Sequence, residues 1–387
     1  MSKLETITVR PDFEVPRMTR GNWQIADDHS DKEFDQNQIN EDMAKYVDAG
    51  ITTFVCGDIY AGVEERIGNF RDYYRNLRGE EAANKIKVFT TYVPHFLDEE
   101  RTKNHSRKDV EEIVNRSLKR LKQDRLDLVQ MHWWNYDLPG CLEMGLWLQE
   151  LQKEGKIHLL AATNFDVPHM KEFFDAGLDV ATHTVQYSLL DRRPRHGMVE
   201  LCKEHDCYLL CYGVLAGGLM SEKWRGVPDP GKPNFENVSM DKYYRIINDF
   251  GGWALFQELL DVLHGIANKH KLSIGNIACR YVLDQEQVGS IIIGARDAKH
   301  LQDNLRVFSF NLDEDDYNQI NQVLEKSSGP LGDCYEIDRD EDRDALEEVK
   351  TEYFDIENGE LVEKVRDPVI LTGDAAYGHH LTHSQNK

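Results

Sequence analysis

Short apolar segments alternate with amphipathic helical segments along most of this chain, and few folds accommodate that order. The apolar segments are rich in β-branched and aromatic residues, as expected of buried strands. The segments between them repeat apolar residues at helical spacing, as in Val110–Leu121. The predicted strands are Met18–Gln24, Ile51–Cys56, Ile86–Thr91, Leu126–Met131, Ile157–Ala162, Val180–Gln186, Cys207–Tyr212 and Gly289–Ile293.

Strands that alternate with helices along the chain pair in parallel, and the connection between successive strands is a right-handed crossover. Such units either close into an eight-stranded barrel or form open, doubly wound sheets. Eight similar units in roughly 300 residues, without a glycine-rich first strand–helix turn, favour the barrel. We therefore predict an α/β fold, a (β/α)8 TIM barrel over residues 1–326, with two open-sheet domains as the alternative.

Two regions interrupt the alternation. Gly213–Gly252 is a long connection after the seventh strand and is rich in Pro, Gly and Asn. Long loops in compact domains are commonly lids or binding loops, and we expect this one to close over a ligand. Residues 327–387 form an acidic C-terminal extension, expected to be solvated and to pack loosely on the barrel. A histidine cluster near its end (His379, His380 and His383) raises the alternative of a metal site there.

The charge balance excludes several classes of function. The 387 residues include 46 lysines and arginines and 69 aspartates and glutamates, a net charge of −23. This charge opposes attraction to nucleic acid and to anionic membranes, so we expect neither as a partner. No segment approaches the ~20 apolar residues of a spanning helix, and Met1–Arg20 lacks the apolar stretch of a secretory signal.

The cysteines predict a reducing compartment and no metal site. There are seven, an odd and scattered set that lies mostly within apolar segments. Cys202, Cys207 and Cys211 are close in sequence, but they divide between a predicted helix and a predicted strand, which does not suit tetrahedral zinc. We therefore predict reduced core thiols in a cytoplasmic protein.

Functional side chains in such barrels follow the carboxyl ends of the strands, and those positions carry recognisable motifs here. Each motif is short, but their order along the chain is informative. They are Gly-Asn-Trp-Gln at 21–24, Asp-Ile-Tyr-Ala-Gly-Val-Glu-Glu at 58–65, Leu-Asp-Leu-Val-Gln-Met-His-Trp-Trp at 126–134, Thr-Asn-Phe at 163–165, Val-Gln-Tyr at 185–187, and Ile-Gly-Ala-Arg at 293–296 followed by Asp303 and Asn304. With these motifs the chain resembles the aldo-keto reductase superfamily from about Val15 to Lys326. The tail motif at 329–335 resembles the branch with single-chain barrels.

The resemblance implies an oxidoreductase that reduces carbonyls with a nicotinamide cofactor, usually NADP(H), bound without a Rossmann domain. The residue types suit that task. A side-chain amide can both donate to and accept from the carboxamide of the cofactor, and the planar guanidinium of an arginine can donate two hydrogen bonds to a phosphate. The implied positions are Thr163, Asn164 and Gln186 for the carboxamide, Tyr212 for the nicotinamide ring, Val214, Leu215, Gly217 and Leu219 for the pyrophosphate, and Arg296, Asp303 and Asn304 for the 2′-phosphate and adenine. A surface arginine at a helix start is the alternative for Arg296.

The catalytic residues depart from the family's Asp–Tyr–Lys–His tetrad. Tyr60 matches the general acid and His132 the residue that orients the substrate. Val55 replaces the expected Asp, and we align Tyr92 with the expected Lys. Replacing both is physically coherent, because a buried lysine without its carboxylate costs several kcal/mol. Tyr60 should then be a poor proton donor near neutral pH, and we interpret the nearby Asp58 as structural.

Three functions remain open at this point. The first is an NADP(H)-dependent oxidoreductase with altered acid–base chemistry, acting on a small carbonyl or aromatic substrate, with His132, Asp58 or Tyr92 as other candidate proton donors. The second is a cofactor-binding protein without efficient turnover, such as a nicotinamide sensor or regulator. The third is non-redox lyase or hydratase chemistry in the same cleft, because a fold alone does not decide a reaction.

Aromatic residues are expected to line the substrate cleft in any of these cases. An aromatic cleft favours an apolar or ring-bearing small molecule. The candidates are Trp23, Trp133, Trp134 and Tyr187, although either Trp133 or Trp134 could instead be rim packing. A homo-oligomer is possible, and the sequence does not decide it.

Overall fold

The computed structural model describes residues 4–27, 34–94, 103–231, 235, 238–336, 354–357 and 360–363. Its strands up to residue 294 are β1 (Thr6–Arg10), β2 (Phe13–Pro16), β3 (Met18–Gly21), β4 (Thr53–Val55), β5 (Lys87–Tyr92), β6 (Leu126–Met131), β7 (Ile157–Thr163), β8 (Val180–Gln186), β9 (Tyr208–Tyr212) and β10 (Val288–Gly294). Strands β3 to β10 form a closed parallel barrel in which β10 pairs with β3. The predicted (β/α)8 barrel is confirmed, and the predicted strands coincide with the observed ones within a few residues.

Helices surround the barrel in the connections between strands. They are α1 (Gln36–Asp48), α2 (Val63–Arg78), α3 (Glu80–Ala83), α4 (Arg107–Leu121), α5 (Cys141–Lys153), α6 (Val167–Asp175), α7 (Met198–Glu204), α8 (Val238–Phe250), α9 (Gly252–His270), α10 (Ile274–Leu283), α11 (Leu301–Asn304) and α12 (Glu314–Leu324). Several begin at a residue whose side chain accepts a hydrogen bond from a backbone N–H of the first turn, as Asp35, Ser273 and Asp313 do. None of the helices in the described residues is long and apolar enough to cross a membrane.

The hairpin β1–β2, which the sequence analysis did not predict, covers one end of the barrel. Phe13 and Val15 lie in an interior apolar cluster with Phe89 of β5 and Leu128 of β6. Arg10 pairs with Asp179, directly before β8, so the hairpin lies at the amino ends of the strands. The carboxyl ends therefore form the end of the barrel at which ligands can enter.

The connection after β9 is more ordered than the predicted long loop, because it contains helix α8. This helix belongs to a second apolar cluster, with α9, α10 and α12. Gly213 adopts a φ of 76°, and a Cβ there would lie 2.8 Å from the ring of Tyr243. Glycine at this position thus lets α8 pack directly against the carboxyl end of β9.

The first part of the C-terminal extension packs on the barrel. An Asp333 carboxylate oxygen accepts a 2.8 Å hydrogen bond from the backbone N–H of Val167, at the start of α6. Cys334 is buried, and the Arg193 guanidinium donates to the Asp333 carbonyl. The packed unit therefore reaches at least Cys334, beyond the boundary predicted at residue 326.

Two further strands lie within the extension, where a solvated tail was expected. Strands β11 (Phe354–Glu357) and β12 (Glu360–Glu363) pair in antiparallel fashion, with Phe354 opposite Glu363. The sequence between them is Asn-Gly, which is the commonest signal for a two-residue hairpin turn. His379, His380 and His383 lie outside the described residues.

Candidate active site

Tyr60 lies at the open end of the barrel, in the turn between β4 and α2. Its ring stacks against that of Trp23, with centroids 6.4 Å apart and planes 27° apart. A Cβ on Gly57 would lie 3.6 Å from the Tyr60 ring and 3.5 Å from the Cβ of Thr91. The phenol ring therefore lies beside the carboxyl ends of β4 and β5, and both Tyr60 and Trp23 are partly exposed.

His132 follows β6 and lies among aromatic rings. Its Nδ1 is 3.3 Å from the carbonyl oxygen of Thr163, and its ring is edge-on to Trp134 at 4.6 Å and to Tyr335 at 5.8 Å. Trp134 packs on the same small apolar cluster as Tyr60. Trp134 thus links the two residues that match the family's acid and its substrate-orienting histidine.

Val55, which we align with the family's Asp, and Thr91 are uncharged and face the barrel interior. Val55 packs against the interior cluster that contains Phe89. Because side chains alternate along a strand, Thr91 shares the interior face of β5 with Phe89. The Thr91 hydroxyl accepts a 3.4 Å hydrogen bond from the Gln130 amide, which keeps it inside the barrel.

Tyr92 lies on the opposite face of β5, so the alignment of this residue with the family's lysine is wrong. Its side chain is buried in the cluster between the strands and the helices. The phenol donates to the Met144 sulfur at 3.7 Å and is 3.4 Å from Nε2 of His105. Burial raises the pKa of Tyr92 well above its ordinary value. Thr91 occupies the inward position, and Tyr92 is not placed to act on a substrate.

Asp58 also lies outside the barrel, which agrees with its interpretation as a structural residue. Its carboxylate is buried and lies 3.8 Å from the Arg116 guanidinium on α4. Its carbonyl oxygen accepts a hydrogen bond from Arg120. These contacts attach the β4–α2 turn to α4, and they do not place the carboxylate as a proton donor in the cleft.

The three residues aligned with the carboxamide site meet at the ends of β7 and β8. Asn164 adopts a φ of 63°, and its N–H donates to the Thr184 carbonyl at 2.9 Å. The Thr163 hydroxyl donates to the same carbonyl. The Asn164 side-chain oxygen accepts a 2.8 Å hydrogen bond from the Tyr212 phenol at the end of β9. A side-chain amide and an aromatic ring are thus held together at the mouth of the barrel.

Gln186 offers an acceptor that nothing in the described residues satisfies. Its amide nitrogen donates to the Asp191 carboxylate at 2.8 Å. Its oxygen is buried and has no hydrogen-bond partner among the described residues. A buried acceptor left unpaired costs about 1–3 kcal/mol, so a bound ligand with an amide N–H would relieve that cost. A nicotinamide carboxamide fits this requirement.

Lys242 and Tyr335 belong to the site but were missed in the sequence. Lys242 on α8 is buried, and its ammonium lies 5.9 Å from the centroid of Tyr212 and 5.1 Å from that of Tyr335. Tyr335 has a φ of 60°, a conformation that non-glycine residues rarely adopt and that often marks functional sites. A helical signal was available for α8, in the apolar residues Met240, Tyr243, Ile246, Ile247 and Phe250.

The predicted pyrophosphate loop packs underneath α8. The side chains of Val214 and Leu219 are buried in the core, so only their backbone could face a ligand. Leu215 is partly buried. Gly217 has a φ of 62°, and a Cβ there would lie 3.2 Å from the backbone of Ser239. The loop and α8 therefore form one packed surface.

The residues after β10 divide into exposed and structural ones. Arg296 is exposed directly after the strand. Asp303 accepts a 2.7 Å hydrogen bond from the hydroxyl of Ser273, which begins α10, and it also pairs with Arg306. Asn304 ends α11 and is partly buried. Of the three predicted residues, the Arg296 side chain is the most available to a phosphate.

Two of the four residues predicted to line the substrate cleft are buried in the core instead. Trp133 is buried between the strands and helices, and its indole N–H donates to the Asn135 carbonyl at 2.7 Å. Tyr187 is equally buried, its phenol accepts a hydrogen bond from Arg195, and burial raises its pKa to about 12. Neither side chain has surface to offer a substrate. Trp23 and Trp134 remain as candidate walls.

Comparison with known proteins identifies the family. Residues 17–325 match the sequence model of the Aldo/keto reductase family. The chain belongs to this family of oxidoreductases. It is 25% identical over 333 residues to "Aldo-keto reductase YhdN" of Bacillus subtilis, covering 83% of this chain and 93% of that protein. It is 25% identical over 233 residues to an "NADH-specific methylglyoxal reductase" of Escherichia coli, covering 59% and 68% respectively.

Solved structures of aldo-keto reductases share the fold. A glycerol dehydrogenase from Gluconobacter oxydans superposes with a TM-score of 0.68 at 24% identity, covering 84% of this chain and 97% of that one. An aldo/keto reductase from Klebsiella pneumoniae, solved in complex with NADP and acetate, has a TM-score of 0.60 at 19% identity, with 86% and 98% covered. At these identities the likeness concerns the barrel and its connections.

Proposed function

We propose that this aldo-keto reductase uses NADP(H) to reduce a small, ring-bearing or apolar carbonyl compound without the family's Asp–Lys pair. The unpaired buried oxygen of Gln186, beside Asn164 and Tyr212, carries the proposal. A site that had lost its cofactor would have no reason to retain a buried acceptor at this cost.

The chain's own residues supply binding and orientation for the cofactor. Gln186 and Asn164 would hold the carboxamide, Tyr212 would offer its ring to the nicotinamide, and Arg296 would meet the 2′-phosphate. The cofactor, when bound, supplies the hydride for carbonyl reduction. The Klebsiella pneumoniae neighbour was solved with NADP, whereas the Escherichia coli relative is named as NADH-specific, so both nucleotides belong in the test.

Tyr60 is the side chain best placed to deliver the proton. In neutral His132, an Nδ1–H that donates to the Thr163 carbonyl leaves Nε2 as an acceptor, and a neutral histidine in that tautomer cannot act as the acid. Since Val55 and Thr91 bring no charge to Tyr60, we expect slow proton transfer. Substrates that need little proton assistance, such as quinones, should therefore react better than simple aldehydes.

Titration with NADPH and NADH, followed by a panel of aldehydes and quinones, tests the proposal. Tight binding with oxidation of the nucleotide supports it. Binding without turnover on any substrate supports the alternative of a nicotinamide-binding regulator, and failure of both nucleotides to bind overturns it. Gln186→Leu should weaken binding about tenfold, from the loss of one buried hydrogen bond. Gln149→Leu is the matched control, because its amide donates to Gly177, at the opposite end of the barrel.

A further inference from the structure

We propose that Asp191 is a positioning residue that fixes the orientation of the Gln186 amide and so makes the site select ligands that carry an amide N–H. The inference rests on the proposed function, since it requires that a nicotinamide carboxamide bind beside Gln186. It assigns a role to a buried carboxylate that belongs neither to the tetrad nor to the predicted cofactor positions. Recognition of the ligand thus depends on a residue that acts only through Gln186.

The hydrogen bond between Gln186 and Asp191 decides which end of the amide faces a ligand. Gln186 Nε2 donates to an Asp191 carboxylate oxygen at 2.8 Å, and both residues are buried. A carboxylate has acceptors and no donor, so it pairs with the NH2 end of an amide and not with the oxygen end. The Gln186 oxygen is left without a hydrogen-bond partner among the described residues. The end of the amide that remains for a ligand is therefore an acceptor.

Arg193 keeps the Asp191 carboxylate occupied as an acceptor. Its guanidinium donates to both carboxylate oxygens, from Nε to Oδ1 at 3.0 Å and from Nη2 to Oδ2 at 2.6 Å. Asp191 is 0% exposed and Arg193 is 1% exposed, so bulk water does not compete for these contacts. Ser188 Oγ accepts a 3.2 Å hydrogen bond from the backbone N–H of Asp191, which fixes the turn that carries the carboxylate. Neither Asp191 nor the Gln186 amide can therefore rotate without breaking buried hydrogen bonds.

Asparagine at position 191 should reverse the Gln186 amide. The Arg193 guanidinium has only donors, so it takes the oxygen of an asparagine side chain and leaves the NH2 group facing Gln186. The Gln186 amide then turns its oxygen towards position 191 and its own NH2 group towards the ligand. The NH2 group of a nicotinamide carboxamide would meet a second donor there, whereas a ligand without this N–H would lose no hydrogen bond.

Two nucleotides that differ only in this group provide the test. NADP⁺ carries the carboxamide, and its 3-acetylpyridine analogue carries an acetyl group, which keeps the carbonyl and lacks the N–H. The analogue should bind the unaltered protein about tenfold more weakly than NADP⁺, because it leaves the buried Gln186 oxygen unpaired. In Asp191→Asn, the ratio of the two dissociation constants should fall by about fivefold or more. Isothermal titration calorimetry measures both constants.

Two further variants separate positioning from a general loss of stability. Asp316→Asn is the matched control and should retain the ratio, because Asp316 is equally buried and pairs with Lys269 and His270 at the end of α9. In Gln186→Leu, the two nucleotides should bind almost equally well. Adding Asp191→Asn to that variant should change the ratio by less than about twofold, because the amide through which Asp191 acts is gone.

The outcomes separate this inference from the proposed function. If NADP⁺ does not bind the unaltered protein, the proposed function fails and this inference fails with it. If NADP⁺ and the analogue bind equally well, the inference is overturned, whereas cofactor binding stands. The inference is also overturned if Asp191→Asn retains the ratio of the unaltered protein, or if Asp316→Asn lowers it as much. If Asp191→Asn does not fold, the double variant Asp191→Asn, Arg193→Gln, which leaves no uncompensated buried charge, replaces it under the same criterion.

Discussion

On the proposed alignment, Val55 and Thr91 lie where the family carries its Asp and Lys, and their positions explain why the two would change together. Both face the barrel interior on neighbouring strands, and the Thr91 hydroxyl donates to the carbonyl of Cys56, next to Val55. Removing one member of a buried ion pair leaves an uncompensated charge, whereas removing both leaves none. The pair therefore tolerates joint loss far better than single loss.

The double variant Val55→Asp, Thr91→Lys should restore an ion pair beside Tyr60 and raise the rate of aldehyde reduction at least tenfold. Steady-state kinetics with NADPH measure the gain. The matched variant Val55→Asp, Tyr92→Lys should show no gain and lower stability, because its lysine would be buried beside Met144. A gain with Tyr92→Lys and none with Thr91→Lys would contradict the inward assignment of Thr91.

Arg296→Ala should weaken NADPH binding at least tenfold and leave NADH binding nearly unchanged. The reason is that only NADPH carries the 2′-phosphate, and the exposed guanidinium after β10 is placed to pair with it. Titration of each nucleotide measures the difference. Arg78→Ala, which removes an exposed arginine paired with Asp48 on the outer helices, is the control. Equal loss for both nucleotides would assign Arg296 a structural role instead.

At the scale of secondary-structure elements, the contact between α2 and α4 contains a buried acid. Glu64 accepts a 2.6 Å hydrogen bond from the Thr90 hydroxyl and lies 3.5 Å from the Arg120 guanidinium. The helices approach closely because a Cβ on Gly68 would collide with the Arg120 carbonyl. Burial raises the pKa of Glu64 to about 7, although Arg120 opposes the shift.

Glu64 should make the protein less stable as pH rises. Between its unfolded pKa near 4.5 and its folded pKa of about 7, the folded state binds a proton that the unfolded state has lost. The stabilisation is complete below this window and is lost as pH rises through it. Glu64→Gln should remove that decline. Between pH 5 and pH 8, the free energy of unfolding of this variant should therefore rise relative to that of the unaltered protein, by at most about 3 kcal/mol.

Urea unfolding at several pH values measures this dependence. Glu112→Gln, an exposed acid on α4, provides the control and should follow the unaltered protein. If Glu64→Gln shows the same decline as the unaltered protein, Glu64 does not titrate with a raised pKa.

At the scale of the whole molecule, segments far apart in sequence close over one end of the barrel. The connection after β9 contributes Lys242, the C-terminal segment contributes Tyr335, and the two meet beside His132. The hairpin β1–β2 covers the other end. The site is thus assembled from both halves of the chain, although each barrel unit is local.

Two truncations test how much of the extension belongs to the barrel. Removing 337–387 should leave the melting temperature within a few degrees and nucleotide binding unchanged, because this truncation keeps Asp333, Cys334 and Tyr335, the residues through which the described part of the extension contacts the barrel. Removing 327–387 should lower the melting temperature by several degrees and weaken binding, because Cys334 and Tyr335 are lost. Thermal unfolding measures the melting temperature of each truncated protein, and titration with NADPH measures its affinity for the nucleotide. Equal behaviour of the two truncations would show that 327–336 contributes nothing to the barrel.

Much of the fold was predictable because its signals are local. The strands from Ile51 to Ile293 are visible as apolar runs, and their alternation with helices predicts the parallel barrel. Two elements were missed although the sequence carried a signal for each: helical spacing for α8, and an Asn-Gly dipeptide between the segments that form β11 and β12. In both cases the polar composition of the surrounding segment obscured a regular pattern.

The sequence by itself determined the closed barrel and the order of its motifs, since periodicity and residue identity are written along the chain. The tertiary structure decided which of Thr91 and Tyr92 faces the cleft, because the face of a strand depends on its register in the sheet. It also decided that Trp133 and Tyr187 are core residues and that Lys242 meets Tyr335. Burial and contacts between distant segments depend on how the elements pack, and no local pattern carries that information.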